Sequence, residues 1–190
     1  NPLALHRLAE MREEAGDREG AKTLARQAAD HGNTDALHRL AMMREQAGDR
    51  EGAKTLYREA ADHGNPLALH RLAEMREEAG DREGAKTLAR QAADHGDTDA
   101  LHRLAVMREQ AGDREGAKTL ARQAADHGNT DALHRLAMMR EEAGDREGAK
   151  TLARQAADHG NTLYLLAGRR KILSRLWPYG LAPDGTPASP

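Results

Sequence analysis

Residues 1–32 read NPLALHRLAEMREEAGDREGAKTLARQAADHG, and the same 32 letters return unchanged at residues 65–96. Three further copies, at 33–64, 97–128 and 129–160, differ from this unit at a handful of positions. We number the five copies repeats 1 to 5 in chain order, so that residues 33–64 are repeat 2 and residues 65–96 are repeat 3. A unit of this length cannot enclose its own apolar face, so neighbouring copies must stack to form a continuous core. The repetition therefore predicts an array of small units and not a globular domain with one central core.

Two pairs of residues divide the unit: Gly16-Asp17 in its middle and Gly32-Asn33 at its end. Glycine commonly adopts the left-handed conformation just past a helix end. Asp or Asn beside it is a strong cap for the free N–H groups of the next helix. The unit therefore predicts two helices of about 14 residues each, helix A at about 2–15 and helix B at about 18–31.

Both helices carry their apolar residues on one side. Leu5, Leu8 and Ala9 lie on one side of helix A, and Ala21, Leu24 and Ala25 lie on one side of helix B, at spacings of three and four residues. The core must consist of Leu, Ala and Met, because the chain has no Phe and Tyr57 is the one aromatic residue of the repeats. The other positions are mostly charged and predict a solvated surface with ion pairs along the helices.

The pattern A-L-x-x-L-A…G-D-x-x-x-A…A resembles the tetratricopeptide repeat (TPR), and the junction QAADHGNTDALHRLA at residues 27–41 is similar to the related Sel1-type repeat. The resemblance covers residues 1–160. The unit is shorter than the usual 34 residues and lacks the aromatic residues common in the family. The resemblance implies an all-α, right-handed α-solenoid of five hairpins that binds a protein or peptide partner and is not an enzyme.

In the TPR family helix A lines a concave groove, so the resemblance implies a groove-facing side at the sixth, seventh, tenth, thirteenth and fourteenth positions of each repeat. We assign partner binding to the first four of these positions. The tenth position varies most, which is typical both of a recognition surface and of neutral drift at an exposed site. Three of its residues, Met42, Val106 and Met138, are apolar and suited to seat a peptide side chain. The implied residues are His6, Arg7, Glu10, Glu13, His38, Arg39, Met42, Glu45, His70, Arg71, Glu74, Glu77, His102, Arg103, Val106, Glu109, His134, Arg135, Met138 and Glu141.

Arg12 and its copies lie seven residues after Leu5 and its copies, on the apolar side of helix A. A guanidinium in that position must pair with a carboxylate or extend to water. We expect it to reach Asp17 or Glu19 of its own repeat, or Asp30 and its equivalents.

The repeat pattern ends after residue 160. Residues 161–177 predict one more helix, either a cap that closes the array or a docking helix for a partner or a second copy. Residues 178–190 hold four of the six prolines and predict a tail that lies against the last repeats or in the groove of a neighbouring molecule. The candidate residues for assembly at this end are Leu165, Leu166, Ile172, Leu173, Leu176 and Trp177.

The other end favours self-association, because repeat 1 leaves Leu3, Leu5 and Leu8 partly bare. A structural spacer or self-association module that uses the two ends is therefore the alternative to a peptide-binding scaffold.

Composition argues against several other functions. A net charge of −2 disfavours a nucleic-acid-binding protein, and no apolar run is long enough to span a membrane. The repeats contain neither Ser nor Cys, so the common catalytic triads are excluded. His6 and Glu10 are one turn apart, but successive histidine copies are too far apart to share a zinc ion. We expect no metal and no cofactor. The Ala, Arg and Gly bias favours a bacterial gene, and we expect a cytoplasmic protein.

Overall fold

A computed structural model describes residues 1–160, and within them every regular element is an α-helix. Each repeat forms one antiparallel hairpin of helix A and helix B, which confirms the predicted all-α fold of stacked hairpins. The sequence predictions for 161–177 and 178–190, including the six candidate assembly residues, lie outside the described residues. The helices are α1 (Pro2–Glu14), α2 (Arg18–Asp30), α3 (Asp35–Gln46), α4 (Arg50–Asp62), α5 (Pro66–Glu78), α6 (Arg82–Asp94), α7 (Asp99–Gln110), α8 (Arg114–Asp126), α9 (Asp131–Glu142) and α10 (Arg146–Asp158).

The turn between helix A and helix B needs only a few residues, as repeat 1 illustrates. Gly16 has φ of 82°, in the left-handed region where a side chain would be strained. Its N–H donates to the carbonyl of Glu13 and the N–H of Asp17 donates to that of Arg12, which closes the helix in a Schellman motif. The Asp17 carboxylate then accepts from the N–H of Gly20 at 3.0 Å and caps helix B. One aspartate thus ends one helix and begins the next.

The turn between repeats has two forms. Where proline follows the asparagine, the asparagine side chain caps helix A: the carboxamide oxygen of Asn65 accepts from the N–H of Ala68 at 2.9 Å. Where Thr-Asp follows, the predicted asparagine cap is wrong. Helix α3 has Thr34 at its N-cap, without a side-chain cap bond. Asn33 instead points its amide toward the Pro2 carbonyl, 3.5 Å away, in the preceding repeat.

The chain divides into two compact units, Asn1–Leu104 and Ala105–Pro190, with the boundary inside α7. In unit 1 the interior side chains include Leu37, Leu40 and Tyr57, all at most 1% exposed. In the described part of unit 2 they include Leu133 and Leu136, both fully buried. Alanines fill most of the remaining interior positions, which lets neighbouring helices approach closely. The predicted core of Leu, Ala and Met is confirmed for Leu and Ala, but the prediction is wrong for Met, because every methionine is half-buried or exposed.

Candidate functional site

The helix-A side of unit 1 contains an open groove with a volume of about 570 Å³. Helices α3 and α5, the A helices of repeats 2 and 3, supply most of its lining, and one residue each comes from α4 and α7. The lining residues are His38, Met42, Glu45, Gln46, Tyr57, Leu67, His70, Arg71, Glu74 and Arg103. Seven of them belong to the set that the TPR resemblance implied.

Tyr57 links the groove to the core of unit 1. The residue is 1% exposed, and its ring is tilted against the imidazole of His38 with centroids 5.7 Å apart. Its hydroxyl donates to Oε2 of Glu45 at 2.8 Å. Burial and the nearby Glu45 carboxylate raise the pKa of Tyr57 well above its ordinary value, so the hydroxyl remains a donor. Sequence reasoning did not assign Tyr57 to the site, although it stands where the other four repeats have alanine.

Ion pairs run across the groove from repeat 2 to repeat 4. The guanidinium of Arg71 forms a close bidentate contact with Glu45, and its Nη1 lies 2.6 Å from Oε2 of Glu74. Arg103 donates to the other oxygen of Glu74 at 2.8 Å. The hydrogen bond from Arg71 holds the pKa of the Glu45 carboxyl below its usual value. Because two arginines face two glutamates, the charges in the groove are balanced.

The groove also presents apolar side chains. Leu67 is 49% exposed and Met42 is half-buried. Of the other apolar residues at the tenth position, Val106 is buried at 8% exposure, so the prediction that it offers a surface contact is wrong. Met138 in unit 2 is 37% exposed. Leu67 was absent from the predicted set, and its substitution for the aspartate of repeats 2, 4 and 5 is the signal that marks it.

Two of the histidines at the sixth position contact the start of the next repeat. Nδ1 of His70 lies 2.9 Å from Oδ2 of Asp97, and Nδ1 of His6 lies 3.3 Å from the amide of Asn33. His38 is half-buried, and burial lowers the pKa of its imidazole. His102 and His134 are also half-buried and have partners. His6 and His70 therefore help to join neighbouring repeats.

The arginines at the seventh position are more accessible. Nε of Arg39 donates to Glu10 at 3.1 Å, in the same way that Arg103 donates to Glu74. Each of these bonds joins the seventh position of one repeat to the tenth position of the repeat before it. Arg7 and Arg135 are exposed.

The glutamate at the thirteenth position forms what we call the joint ion pair with the arginine at the twelfth position of the following repeat. Arg44 donates to both carboxylate oxygens of Glu13, at 3.0 and 3.2 Å, and to the carbonyl of Arg18 at 2.9 Å. Arg140 makes the same two contacts with Glu109, at 3.0 and 3.2 Å. These side chains are between 7% and 9% exposed.

Two predictions are corrected by this arrangement. Glu13 and Glu109 do not lie open on a partner-binding face, because the next repeat covers them; the Glu77 side chain is likewise only 8% exposed, whereas Glu141 is exposed. The expected pairing of arginine within its own repeat is confirmed for Arg12 with Asp17 at 2.5 Å and for Arg76 with Asp81 at 2.7 Å. The expectation is wrong for Arg44 and Arg140, which pair with a glutamate of the preceding repeat.

The joint between repeats 2 and 3 differs from the joint between repeats 1 and 2. Tyr57 and Arg71 engage Glu45, so Arg76 turns to Asp81 and its side chain is 46% exposed. A cavity of about 380 Å³ lies beside it. The lining residues are Lys54, Arg58, Ala61, Asp62, Leu69, Leu72, Met75, Arg76, Ala79, Asp81, Leu88 and Gln91.

A family model supports the assignment of the fold. The model of the tetratricopeptide repeat matches residues 35–63 and 131–159, one hairpin each in repeats 2 and 5. The other three repeats are nearly identical to these two in sequence. The repeats of this chain are therefore similar to tetratricopeptide and Sel1-type repeats. Repeats of this family generally act as protein-interaction scaffolds and are generally not enzymes.

Solved structures with similar folds include TPR-like and Sel1 proteins. A Sel1 repeat protein from Oxalobacter formigenes is 21% identical over 93% of this chain and 78% of its own, with a TM-score of 0.51. A protective antigen of uropathogenic Escherichia coli strains, with an SLR fold, is 25% identical over 85% of this chain and 39% of its own, with a TM-score of 0.52. The pilF protein of Pseudomonas aeruginosa is 17% identical over 94% of this chain and 93% of its own, with a TM-score of 0.51. No curated protein sequence matches the chain.

Two kinds of feature are missing from the part of the repeat array that the structure describes. Among residues 1–160, no group of three His, Cys, Asp or Glu side chains is arranged to hold a metal ion. None of the ten described helices is long and apolar enough to cross a membrane.

Proposed function

We propose that this chain is an interaction module that binds a protein or peptide partner in the groove formed by α3 and α5. The observation that carries the proposal is Leu67, which is 49% exposed in the same groove as Met42 and Tyr57. An apolar residue exposed in a groove with a polar border is typical of a recognition surface.

The chemistry of the groove favours a partner with an apolar anchor side chain. Met42 is flexible and adapts to different shapes, and burial of Leu67 by a partner stabilises the complex by about 25 cal/mol for each Å² covered. The surrounding charges are already paired, so neither a strongly acidic nor a strongly basic partner is favoured. Since the basic groups of the groove are engaged by Glu45 and Glu74, we do not propose a nucleic-acid partner.

The proposal narrows the set of contacts implied by the family. Glu13 and Glu109 hold repeats together, so we assign them to the joints and not to the partner. In unit 1 the proposed contacts are His38, Met42, Leu67, His70 and Arg103. In unit 2, Arg135 and Met138 are exposed on helix A and remain a proposed second contact region.

A displayed library of random peptides tests the proposal. We expect the chain to enrich peptides that share an apolar residue, and Met42→Glu or Leu67→Glu to weaken their binding about tenfold or more, because a charge would be buried against the anchor. Gln27→Glu is the matched control: it adds the same charge on helix B, at an exposed position where repeat 2 already has Glu59. If the enriched peptides bind both groove variants as tightly as they bind the parent chain, the peptide-binding site lies outside this groove.

A further inference from the structure

The cavity of about 380 Å³ between repeats 2 and 3 shares no lining residue with the groove. Helices α4, α5 and α6 supply its lining, together with Ala79 and Asp81 of the turn between α5 and α6. Both repeats have a neighbouring repeat on each side along the chain, so the cavity is not a surface left bare at an end of the array. Its volume is within the range of about 300–1,000 Å³ that is usual for pockets that hold small organic molecules.

The floor of this cavity is apolar. Leu69 and Leu72 of repeat 3 are each 6% exposed, whereas their equivalents in repeats 2, 4 and 5 are at most 1% exposed. Leu88 is half-buried, whereas its equivalents in the same three repeats are at most 1% exposed. Half-buried Met75 also lines the cavity. The core of repeat 3 is therefore partly open here, and an apolar ligand group in the space would complete its packing.

Two cations at the border of the cavity are free to bind a ligand. Lys54 and Arg58 line it from α4, and neither forms a hydrogen bond or an ion pair within residues 1–160. Lys54 is half-buried and Arg58 is exposed. A lysine and an arginine one helical turn apart can bind one carboxylate together through charge-assisted hydrogen bonds.

The carboxylates nearby do not engage these two cations. Asp81 lines the cavity but pairs with Arg76 at 2.7 Å. Asp62 lines it without pairing with either cation, and Glu51 and Glu78 lie in an adjoining cavity that Lys54 also borders. The free cations of the lining therefore outnumber its free carboxylates.

Repeats 1 and 2 show how the same pair of cations binds a carboxylate. Lys22 and Arg26 occupy in repeat 1 the positions of Lys54 and Arg58, and both contact Glu59 of repeat 2. Nζ of Lys22 lies 2.9 Å from Oε1, and Arg26 donates to both carboxylate oxygens at 2.8 Å. One carboxylate thus satisfies two cations of the preceding repeat.

Repeat 3 lacks this carboxylate. The contact has a fixed register, in which the twenty-sixth position of one repeat meets the twenty-seventh of the next, and Arg122 meets Gln155 in this way at 3.2 Å. The twenty-seventh position holds glutamate in repeat 2 but Gln91 in repeat 3. Gln91 lines the cavity and carries no charge to balance the two cations.

We propose that this cavity binds a small organic monocarboxylate with an apolar body. The ligand carboxylate takes the place of the missing glutamate side chain and pairs with Lys54 and Arg58, while the apolar body lies on Leu69, Leu72 and Leu88. The site is additional to the partner-binding groove, and neither proposal depends on the other.

Methionine-methyl NMR on the full chain, with octanoate as the probe, tests the proposal. Octanoate should shift the signal of Met75 in a saturable way and leave the signals of Met42 in the groove and Met138 in unit 2 unchanged. Met75→Leu assigns the signal. Acetate lacks the apolar body and octanol lacks the carboxylate, so each should bind at least about tenfold more weakly than octanoate.

Gln91→Glu supplies the missing carboxylate from repeat 3 itself. The new side chain should occupy Lys54 and Arg58 as Glu59 occupies their equivalents, and octanoate binding should weaken at least about tenfold. The variant should fold, because repeat 2 has glutamate at the same position. Gln27→Glu is the matched control, since it makes the same change in the identical sequence of repeat 1, and it should bind octanoate like the parent chain.

The arginine is tested in the same way. Arg58→Gln should weaken octanoate binding about tenfold, whereas Arg90→Gln, the same change at the equivalent exposed position of repeat 3, should leave it unchanged. The absence of a saturable shift at Met75 would overturn the proposal. So would octanol that binds as tightly as octanoate, or unchanged octanoate binding in Gln91→Glu.

Discussion

The arginine at the twelfth position makes different contacts according to what lies against it. Arg12 and Arg76 pair with the aspartate that caps the next helix of their own repeat, and both remain about half-exposed. Arg44 and Arg140 are buried by the preceding repeat and pair with its glutamate. A long side chain with a planar fork of donors can reach either carboxylate, so the neighbouring repeat decides between them.

The buried and exposed arginines should therefore differ in their contribution to stability. Arg44→Ala leaves the Glu13 carboxylate buried without its partner and should lower the free energy of unfolding by about 3–5 kcal/mol. Arg12→Ala is the matched control, because it makes the same substitution at the twelfth position of repeat 1, where the ion pair is exposed. It should lower the free energy of unfolding much less. Urea unfolding followed by circular dichroism measures both. Equal losses in the two variants would contradict a special contribution from the joint ion pair.

His38 should make the stability of unit 1 depend on pH. Burial lowers the pKa of its imidazole in the folded state; Asp35 opposes the shift, whereas Arg39 and His70 add to it. As the pH falls, the unfolded chain binds a proton near the ordinary value of 6.5 before the folded chain does, so the free energy of unfolding decreases.

His38→Gln removes this linkage, so the variant should lose less stability than the parent chain between about pH 7 and pH 5. His31→Gln, at an exposed helix end, is the control. Urea midpoints at the two pH values provide the measurement. Parallel losses in the parent chain and in His38→Gln would exclude a role for this imidazole.

At the residue scale, the sequence predicted which positions pair but not always with which partner. The turn aspartates and the exposed arginines behave as the local spacing indicates. Glu13 was assigned to a binding face because the resemblance to the TPR family implies a groove at its position, and that resemblance does not report which side chain of the next repeat lies against it. Tyr57 was noted only as an isolated aromatic, since its contact with Glu45 depends on how helix B packs on helix A.

At the scale of helices, the joint between repeats 2 and 3 is set by one side chain of α4. Tyr57 draws Glu45 away from Arg76, and the space beside Arg76 remains open as a cavity of about 380 Å³. In repeats 1, 3, 4 and 5 an alanine occupies the same place, and each of these alanines is fully buried. The position therefore accepts either residue, with a different joint in each case.

Tyr57→Ala should convert this joint to the kind formed by Arg44. The substitution should lower the free energy of unfolding by less than the roughly 3–5 kcal/mol that is usual for removing a buried aromatic ring. The loss is smaller because Glu45 and Arg76 become free to pair. A double-mutant cycle tests this. Arg76→Ala should have little effect in the parent chain but a large effect in the Tyr57→Ala background.

Tyr57→Phe is the control for that cycle, because it keeps the ring and removes only the hydroxyl bond to Glu45. Additive effects of Tyr57→Ala and Arg76→Ala would show that the two side chains do not compete for Glu45.

The bounds of the helices were largely predictable from sequence, because the turn chemistry lies within a few residues. Helix B was expected at about 18–31 and begins at Arg18 and ends at Asp30 in repeat 1. The start of α3 was less predictable. Asn33 is as good a cap as Asn65 by residue type, but its amide points toward the preceding repeat, and a local pattern does not report that contact.

At the scale of the whole molecule, a single 32-residue sequence exists in two environments. Helix α1 buries only Ala9, whereas α5, with the same letters, buries Ala68, Leu69, Leu72 and Ala73. Local stability in a repeat array depends on neighbouring units as well as on sequence. Helix α1 should therefore open more often than α5.

Hydrogen exchange detected by mass spectrometry can resolve this difference in one experiment. A peptide common to α1 and α5 has one mass before exchange and should show two envelopes during exchange, with the faster one from α1. Arg7→Lys, at an exposed position, gives the α1 peptide a different mass and assigns the envelopes. One unsplit envelope throughout the exchange would mean that the two helices are equally stable.

The shared register of the joints also limits how the number of residues in such a protein can change during evolution. Each joint uses groups at fixed positions of the unit, so inserting or deleting a complete unit supplies both halves of every new contact, whereas any other length of insertion separates them. Near-identical coding repeats are natural substrates for unequal recombination, which adds or removes whole units. We therefore expect close relatives of this protein to differ in the number of repeats while keeping the 32-residue period, and a relative whose spacing departs from that period should carry compensating changes at the joint where it does so.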